Sequence, residues 1–189
     1  MKAALLALML LALSACRDET ASLPDPVAMT ADAVGHYCQM NLLEHPGPKA
    51  QVHLDGLDAP LFFSQVRDAI AYQRMPEQSH MIKAIYVNDM GAAVSWDAPG
   101  ADNWIQADSA LYVVGSASVG GMGAPELVPF STAAAAAAFA GEHGGQVLTL
   151  TEIDDADVLA PVALEADSGS GDDADYLSRL KKLSRDGDS

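Results

Sequence analysis

The sequence predicts an α+β fold of two small ββαβ lobes packed together, flanked by a disordered N-terminal tether and an acidic C-terminal tail. Three observations carry that prediction. Between residues 36 and 158, short apolar segments of strand character alternate with two helical segments, and the order strand, strand, helix, strand occurs twice. Phe63-Ser64 stands before the first helix and Phe130-Ser131 before the second, 67 residues apart, although few other residues match. Half of the residues are apolar, enough for a genuine core in a chain of this length. A single mixed sheet with two helices on one face is the competing architecture.

The first lobe is expected over residues 34–98. Residues 50–54 alternate apolar and polar side chains and end at the turn signal Asp55-Gly56, and residues 61–63 continue the hairpin. Ser64 is placed to cap a helix running through Gln73, with Val66, Ala69, Ile70 and Gln73 on one face. Met75-Pro76 ends it, because a residue before proline avoids the α region. Residues 83–88, rich in Ile, Tyr and Val, form the closing strand.

The second lobe is expected over residues 99–158. Residues 103–107 and 110–115 read as two strands around a polar turn, followed by a glycine-rich loop over 115–123. Pro129-Phe130-Ser131 leads into a helix over 132–141, whose run from Ala133 to Ala138 consists of the best helix former, with Gly141 or Gly144 as its stop. Residues 146–151 alternate as a final strand. Trp96 and Trp104, on either side of Pro99-Gly100, are expected to close an apolar seam between the lobes.

The two ends have a different character. Lys2, the apolar run from Ala3 to Leu13 and the small residues Ser14 and Ala15 are the three parts of a secretory signal. The run of eleven residues is too short to span a bilayer as a helix, which takes about 20. Residues 1–15 therefore read as a signal peptide to be removed. Leu13-Ser14-Ala15-Cys16 resembles the lipobox of bacterial lipoproteins, in which the cysteine thiol receives a diacylglycerol. Cys16 is thus the expected lipidation site, and residues 16–33 a lipidated flexible tether. The protein would face the periplasm, and Arg17 in place of Asp after the lipidated residue favours the outer membrane. Nine acidic residues and no basic one lie between Glu152 and Asp175, so residues 159–189 read as an acidic disordered tail.

Charge and cysteine usage narrow the function. The formal net charge is −16, or −17 once Lys2 leaves with the signal, and such a surface repels phosphate backbones. Nucleic acid is excluded as a partner on that ground. Of the two cysteines, lipidation consumes Cys16 and leaves Cys38 as a lone thiol in an oxidising compartment. A thiol in that position is buried, ligated or catalytic.

Cys38-Gln39-Met40 sets a thiol and a thioether two residues apart, which in an extended segment puts both sulfurs on one side. Soft donors of this kind select Cu(I) over hard cations, and few of them make a site that loads and empties readily. Met122 stands in Gly120-Gly121-Met122-Gly123, where no neighbouring side chain gives it a core to fill. It is the candidate third sulfur, if the lobes are paired. The five histidines show no H-x-x-x-H or H-E-x-x-H spacing, so a zinc site has no support. His36 reads as an exposed turn residue, and Met75, Met81 and Met90 as core or helix-end packing. The glycine-rich loop lacks a P-loop lysine.

The run Gly35-His36-Tyr37-Cys38-Gln39-Met40-Asn41-Leu42-Leu43-Glu44-His45-Pro46-Gly47-Pro48 resembles the NosL family, copper-binding lipoproteins of nitrous oxide reductase maturation. So do Tyr86-Val87-Asn88-Asp89 and Gly121-Met122-Gly123-Ala124-Pro125-Glu126-Leu127-Val128-Pro129-Phe130. The resemblance covers roughly residues 36–151 and includes the lipobox. It implies a chaperone rather than an enzyme, with Cys38 and Met40 matching the copper motif and Met122 the loop methionine. It further implies periplasmic Cu(I), delivery toward the copper centres of the apo-form of nitrous oxide reductase, directly or indirectly, and docking to the membrane ABC-transporter complex of that pathway. Two other function classes compete on the residues alone. One is a thiol enzyme using Cys38, which lacks a resolving cysteine or an evident activating base. The other is a metal-free lipoprotein that binds a partner through its acidic surface.

Overall fold

The computed structural model describes residues 22–161; Cys16 with its signal segment, and the acidic run beyond Pro161, lie outside the described residues. Strands β1 (Ala50–Leu54), β2 (Leu61–Phe63), β3 (Ile82–Asn88) and β4 (Trp104–Gln106) form one sheet in the order β2-β1-β3-β4. Strands β5 (Leu111–Val114), β6 (Val128–Phe130) and β7 (Gln146–Thr149) form a second, in the order β6-β5-β7. Every pairing is antiparallel. Helix α1 (Val66–Arg74) follows β2, helix α2 (Ala133–His143) follows β6, and a short helix α3 (Asp155–Leu159) ends the described chain. The α+β architecture with two ββαβ units is thus the one the sequence predicts. None of the described helices is long and apolar enough to cross a membrane.

The strands of the second unit differ from expectation. Trp104–Gln106 was expected to open it, yet hydrogen bonding places this strand on β3, with Tyr86 opposite Gln106 and Asn88 opposite Trp104. The second unit is built instead from β5 and from Val128–Phe130, expected only as a lead-in to the helix. Proline hides that strand from the sequence. Pro129 is tolerated because β6 is an edge, where a missing N–H breaks no central ladder.

One core runs through both units. Val52, Phe63, Val66, Ile70 and Val87 from the first meet Tyr112, Val114, Leu127, Leu150 and Val158 from the second. Val66, Ala69 and Ile70 are the buried face of α1, as the helical spacing predicts; Gln73 is exposed. Trp96 does close the seam: its ring stacks on Phe139 of α2 at 6.3 Å and covers Gly47, where a Cβ would lie 3.0 Å from the indole. Trp104 does not. It packs with Met29, Leu42 and Phe62 on the outer face of the first sheet.

One segment expected to be free is docked, and the end of the second lobe folds as a helix where no element was expected. The tether reading covered residues 16–33, but residues 24–33 lie along the first sheet. Gln51 on β1 accepts from the Val27 N–H at 2.8 Å and donates to the Val27 carbonyl at 3.0 Å, the Tyr86 hydroxyl donates to the Pro24 carbonyl, and Met29 is buried. The segment has no apolar periodicity because side chains elsewhere satisfy its backbone. The acidic end of the second lobe, after Glu152, closes on α3, which runs to Leu159, one residue into the expected tail. Arg74 donates to the carbonyls of Leu150 and Ile153 and pairs with Asp155, while Arg67 donates to the carbonyls of Val158 and Ala160. These two arginines, two turns apart on the same side of α1, donate to backbone carbonyls of the acidic segment.

Candidate metal centre

Cys38 and Met40 lie in a turn and not in the extended segment expected from their spacing. An isolated bridge between Val34 and Asn41 closes the turn, and the Gly35 N–H donates to the Met40 carbonyl at 3.0 Å. Gln39 takes φ +56°, the left-handed region, which costs a non-glycine residue about 1–2 kcal/mol. Its side chain answers that cost by donating to the carbonyls of Gly35 and His36. The turn brings Cys38 back over Gly35 so closely that a Cβ on Gly35 would lie 2.5 Å from Sγ. Glycine at 35 is therefore a condition of the thiol's position. The Cys38 thiol donates to the Ser64 hydroxyl at 3.7 Å, and Met40 is 43% exposed.

Ser64 was expected to cap α1. The cap position falls on Gln65 and carries no side-chain cap bond of its own. Glu126, from the second unit, supplies the acceptor instead, taking the Arg67 N–H at 3.0 Å and the Leu127 N–H at 2.9 Å through one carboxyl oxygen. This leaves the Ser64 hydroxyl turned to the thiol.

The glycine-rich loop is a tight hairpin. Val119 bridges Pro125, the Gly120 N–H donates to the Ala124 carbonyl, and the Gly123 N–H donates to the Gly120 carbonyl. Met122 occupies the tip and is 43% exposed, so it does not plug the inter-lobe seam. Gly121 lies against the first lobe: a Cβ there would stand 3.0 Å from the Ser64 carbonyl and 2.8 Å from His45 Cβ. Ser64 is thus a common neighbour of the Cys38 thiol and of the hairpin that carries Met122. Lobe pairing brings the loop of the second unit to the turn of the first, as the sequence reading required.

Behind these sulfurs is a buried polar layer that the sequence did not disclose. Lys49 is 1% exposed and donates to the carbonyls of Pro46 and Gly47. Burial pushes its ammonium down to about 8, against the opposing charges of Glu126 and Cys38. Burial likewise pushes the Glu126 carboxyl up to about 8, and its second oxygen has no hydrogen-bond partner. Asp68 is raised by burial, opposed by a bond from Gln65. Lone Lys and Glu residues at single positions carry no periodic signal; only the enclosing fold makes them a layer.

The remaining candidates fall outside this arrangement. His36 is an exposed turn residue whose ring packs beside Tyr37, Phe63 and Tyr72. Met75 and Met81 are 40% and 65% exposed and so are not the packing residues expected; Met75 accepts from the Tyr37 hydroxyl at 3.9 Å. Met90 packs against Phe130 and Trp96. His45 was passed over in the sequence, yet it lies against Gly121 with its Nε2 shielded and without a hydrogen-bond partner. Among the described residues, no group of three or more His, Cys, Asp or Glu side chains is arranged to hold a metal ion. Sulfur is a donor of another kind. A thiol and thioethers, half-exposed on a turn and a hairpin, suit a soft monovalent ion far better than a hard one.

Fold and site together define a two-lobed α+β protein that presents soft sulfur donors where its lobes meet. The NosL family model matches residues 26–158, and the chain belongs to the NosL family. The copper-binding lipoprotein NosL of Achromobacter cycloclastes is 61% identical over 180 residues, 95% of this chain and 93% of that protein. The copper-binding lipoprotein NosL of Stutzerimonas stutzeri is 37% identical over 141 residues, 74% and 72% of the two chains. The crystal structure of the copper chaperone NosL from Shewanella denitrificans is similar with a TM-score of 0.65 and 32% identity, over 70% of this chain and 97% of that one.

Proposed function

We propose that this protein is a lipid-anchored, periplasm-facing carrier of Cu(I), not an enzyme, and that Cys38, Met40 and Met122 hold the ion. The observation that carries this reading is the half-exposed pair of methionines, one beside Cys38 on its turn and one on a glycine hairpin against the same serine. One thiolate neutralises one Cu(I), and two thioethers complete the shell without adding charge. A shallow site of this kind lets an acceptor's ligands replace the donors one at a time. His45, whose Cβ lies against Gly121 and whose shielded Nε2 has no hydrogen-bond partner, is a further candidate donor. A catalytic thiol is less well supported, because the hydrogen-bond partner of Cys38 is the hydroxyl of Ser64, which is not a general base at neutral pH.

The relatives' names, copper-binding lipoprotein and copper chaperone, support copper as the cargo. Delivery then runs toward the copper centres of apo nitrous oxide reductase, directly or through the membrane ABC-transporter complex of its maturation. Cys16 is the lipid attachment point, and the outer membrane is the proposed home. The test is competition for Cu(I) against a chromophoric Cu(I) chelator. Wild type should bind one Cu(I), and Cys38→Ser should lose tight binding while keeping its circular dichroism, since a neutral hydroxyl is a poor ligand for a soft ion. Unchanged affinity in Cys38→Ser would defeat the proposal.

A further inference from the structure

The Met122 hairpin is closed by its own backbone but has few side chains at its tip to fix it on the rest of the protein. Glycine occupies positions 120, 121 and 123, and Gly123 takes φ +78° with open space around it. A glycine-rich tip of this kind samples many conformations unless something outside it restrains them. The restraint comes from the other lobe. The Gln65 Oε1 accepts from the Met122 N–H at 2.9 Å and from the Ala124 N–H at 3.3 Å. Gln65 is itself 2% exposed, and its Nε2 donates to Asp68 Oδ2 at 3.2 Å. That bond settles which end of the amide faces the hairpin, since the carboxylate takes the nitrogen and leaves the oxygen for the two N–H groups. Gly120 packs onto the same amide, where a Cβ would lie 2.6 Å from Oε1 and would also meet Glu126.

The attachment is reciprocal. Gln65, at the start of α1, accepts from the backbone of the hairpin, and Glu126, at the hairpin's base, accepts from the backbone of α1. Each lobe thereby satisfies N–H groups of the other. The two bonds differ in reach, because Glu126 holds the base of the hairpin and Gln65 alone grips the residue that bears the sulfur.

We infer that Gln65 is a positioning residue for the metal site, holding Met122 on the first lobe beside the Cys38–Met40 turn. This rests on the reading of Met122 as a ligand. Gln65 touches no ion and acts through the Met122 backbone; its amide oxygen replaces the conformational restriction that three glycines give up.

The experiment uses the full chain in detergent, loaded with Cu(I), with chelator competition for affinity and copper EXAFS for the number of sulfurs. Gln65→Leu keeps approximate volume and removes the acceptor. It should weaken Cu(I) binding by about 10–100-fold, as loss of supporting residues around metal ligands does, and drop the sulfur count by one although Met122 is intact. Gln65→Leu with Met122→Leu should bind no more weakly than Met122→Leu alone, because the first change acts only through the second residue. Should Gln65→Leu fail to fold, hydrogen exchange in the wild-type chain decides: the Met122 and Ala124 amides should exchange more slowly than that of Gly121. A wild-type sulfur count in folded Gln65→Leu, additive losses in the double variant, or equally fast exchange at all three amides would overturn the inference. An unchanged site in Met122→Leu would instead remove the ligand reading on which it stands.

Discussion

The two lobes share an element order but not a way of being held together. In the first, β1 is buried at every position and α1 buries Val66, Arg67, Ala69, Ile70 and Ala71. In the second, β7 is exposed at three of its four positions and α2 buries Ala136 alone. The first lobe is a platform whose core fixes the Cys38 turn. The second has a smaller core of its own, Val113, Val128, Phe130 and Ala136, aided by alanine propensity in its helix and by cross-lobe hydrogen bonds at its hairpin. The proposed carrier would gain from that asymmetry, since Cys38 and Met40 sit on the platform while Met122 is presented on a hairpin tied to it across the lobes.

The largest expected effect breaks the comparison if it fails. Phe63 is 1% exposed in the platform, whereas Phe139 on α2 is only half-buried. Phe63→Ala should cost about 3–5 kcal/mol and Phe139→Ala clearly less, read by urea denaturation. Equal losses would mean that the lobes are equally packed.

Next comes the buried layer between the lobes. Glu126 is held neutral up to about 8 in the folded protein and ionises near 4.5 when unfolded. Between those values the folded state keeps a proton that the unfolded chain has lost, so this group's stabilisation is complete below 4.5 and drains away as pH rises toward 8. The slope from one such group is at most about 1.4 kcal/mol per pH unit. Lys49 has the opposite sign in the next window. Its pKa falls from 10.5 to about 8 on folding, so its contribution rises with pH between those values. Thermal unfolding against pH should therefore show a decline to about 8 that Glu126→Gln flattens. A Glu126→Gln profile that keeps the full decline would contradict the assignment.

A smaller effect separates the two helix starts. Thr132 caps α2 in the ordinary way, accepting from the Ala135 N–H, while the Ser64 hydroxyl faces Cys38 and leaves α1 to be capped by Glu126. Thr132→Ala should cost about 1 kcal/mol, and Ser64→Ala much less through loss of helix capping. Matching losses of helix stability, followed by far-ultraviolet circular dichroism, would show that Ser64 serves as a cap after all.

Local sequence carried the element order of the first unit, the Val66, Ala69 and Ile70 stripe of α1, the Thr132 start of α2 with its stop at one of two glycines, and the isolation of Cys38, Met40 and Met122 from ordinary packing patterns. What stayed hidden depends on distant partners. Nothing in Trp104-Ile105-Gln106 says which sheet it joins, because pairing is decided by β3. The docking of residues 24–33 depends on Gln51, and the fold of residues 150–160 on two arginines of α1. The turn at Cys38 was unreadable because Gln39, a residue with no special liking for positive φ, adopts it with its own side chain as support. Gln65 was hidden for the same reason, since its role appears only when a hairpin 57 residues away arrives on its amide.

The central claim is that both lobes contribute sulfur to one Cu(I) site, and copper EXAFS on the loaded wild type and on Met122→Leu tests it most directly. The expected result is three sulfurs in the wild type and two in Met122→Leu, with stability changed by less than about 1.5 kcal/mol because the substitution nearly conserves volume. The same sulfur count in both proteins, with full Cu(I) affinity in the variant, would confine the site to the first lobe and contradict the account.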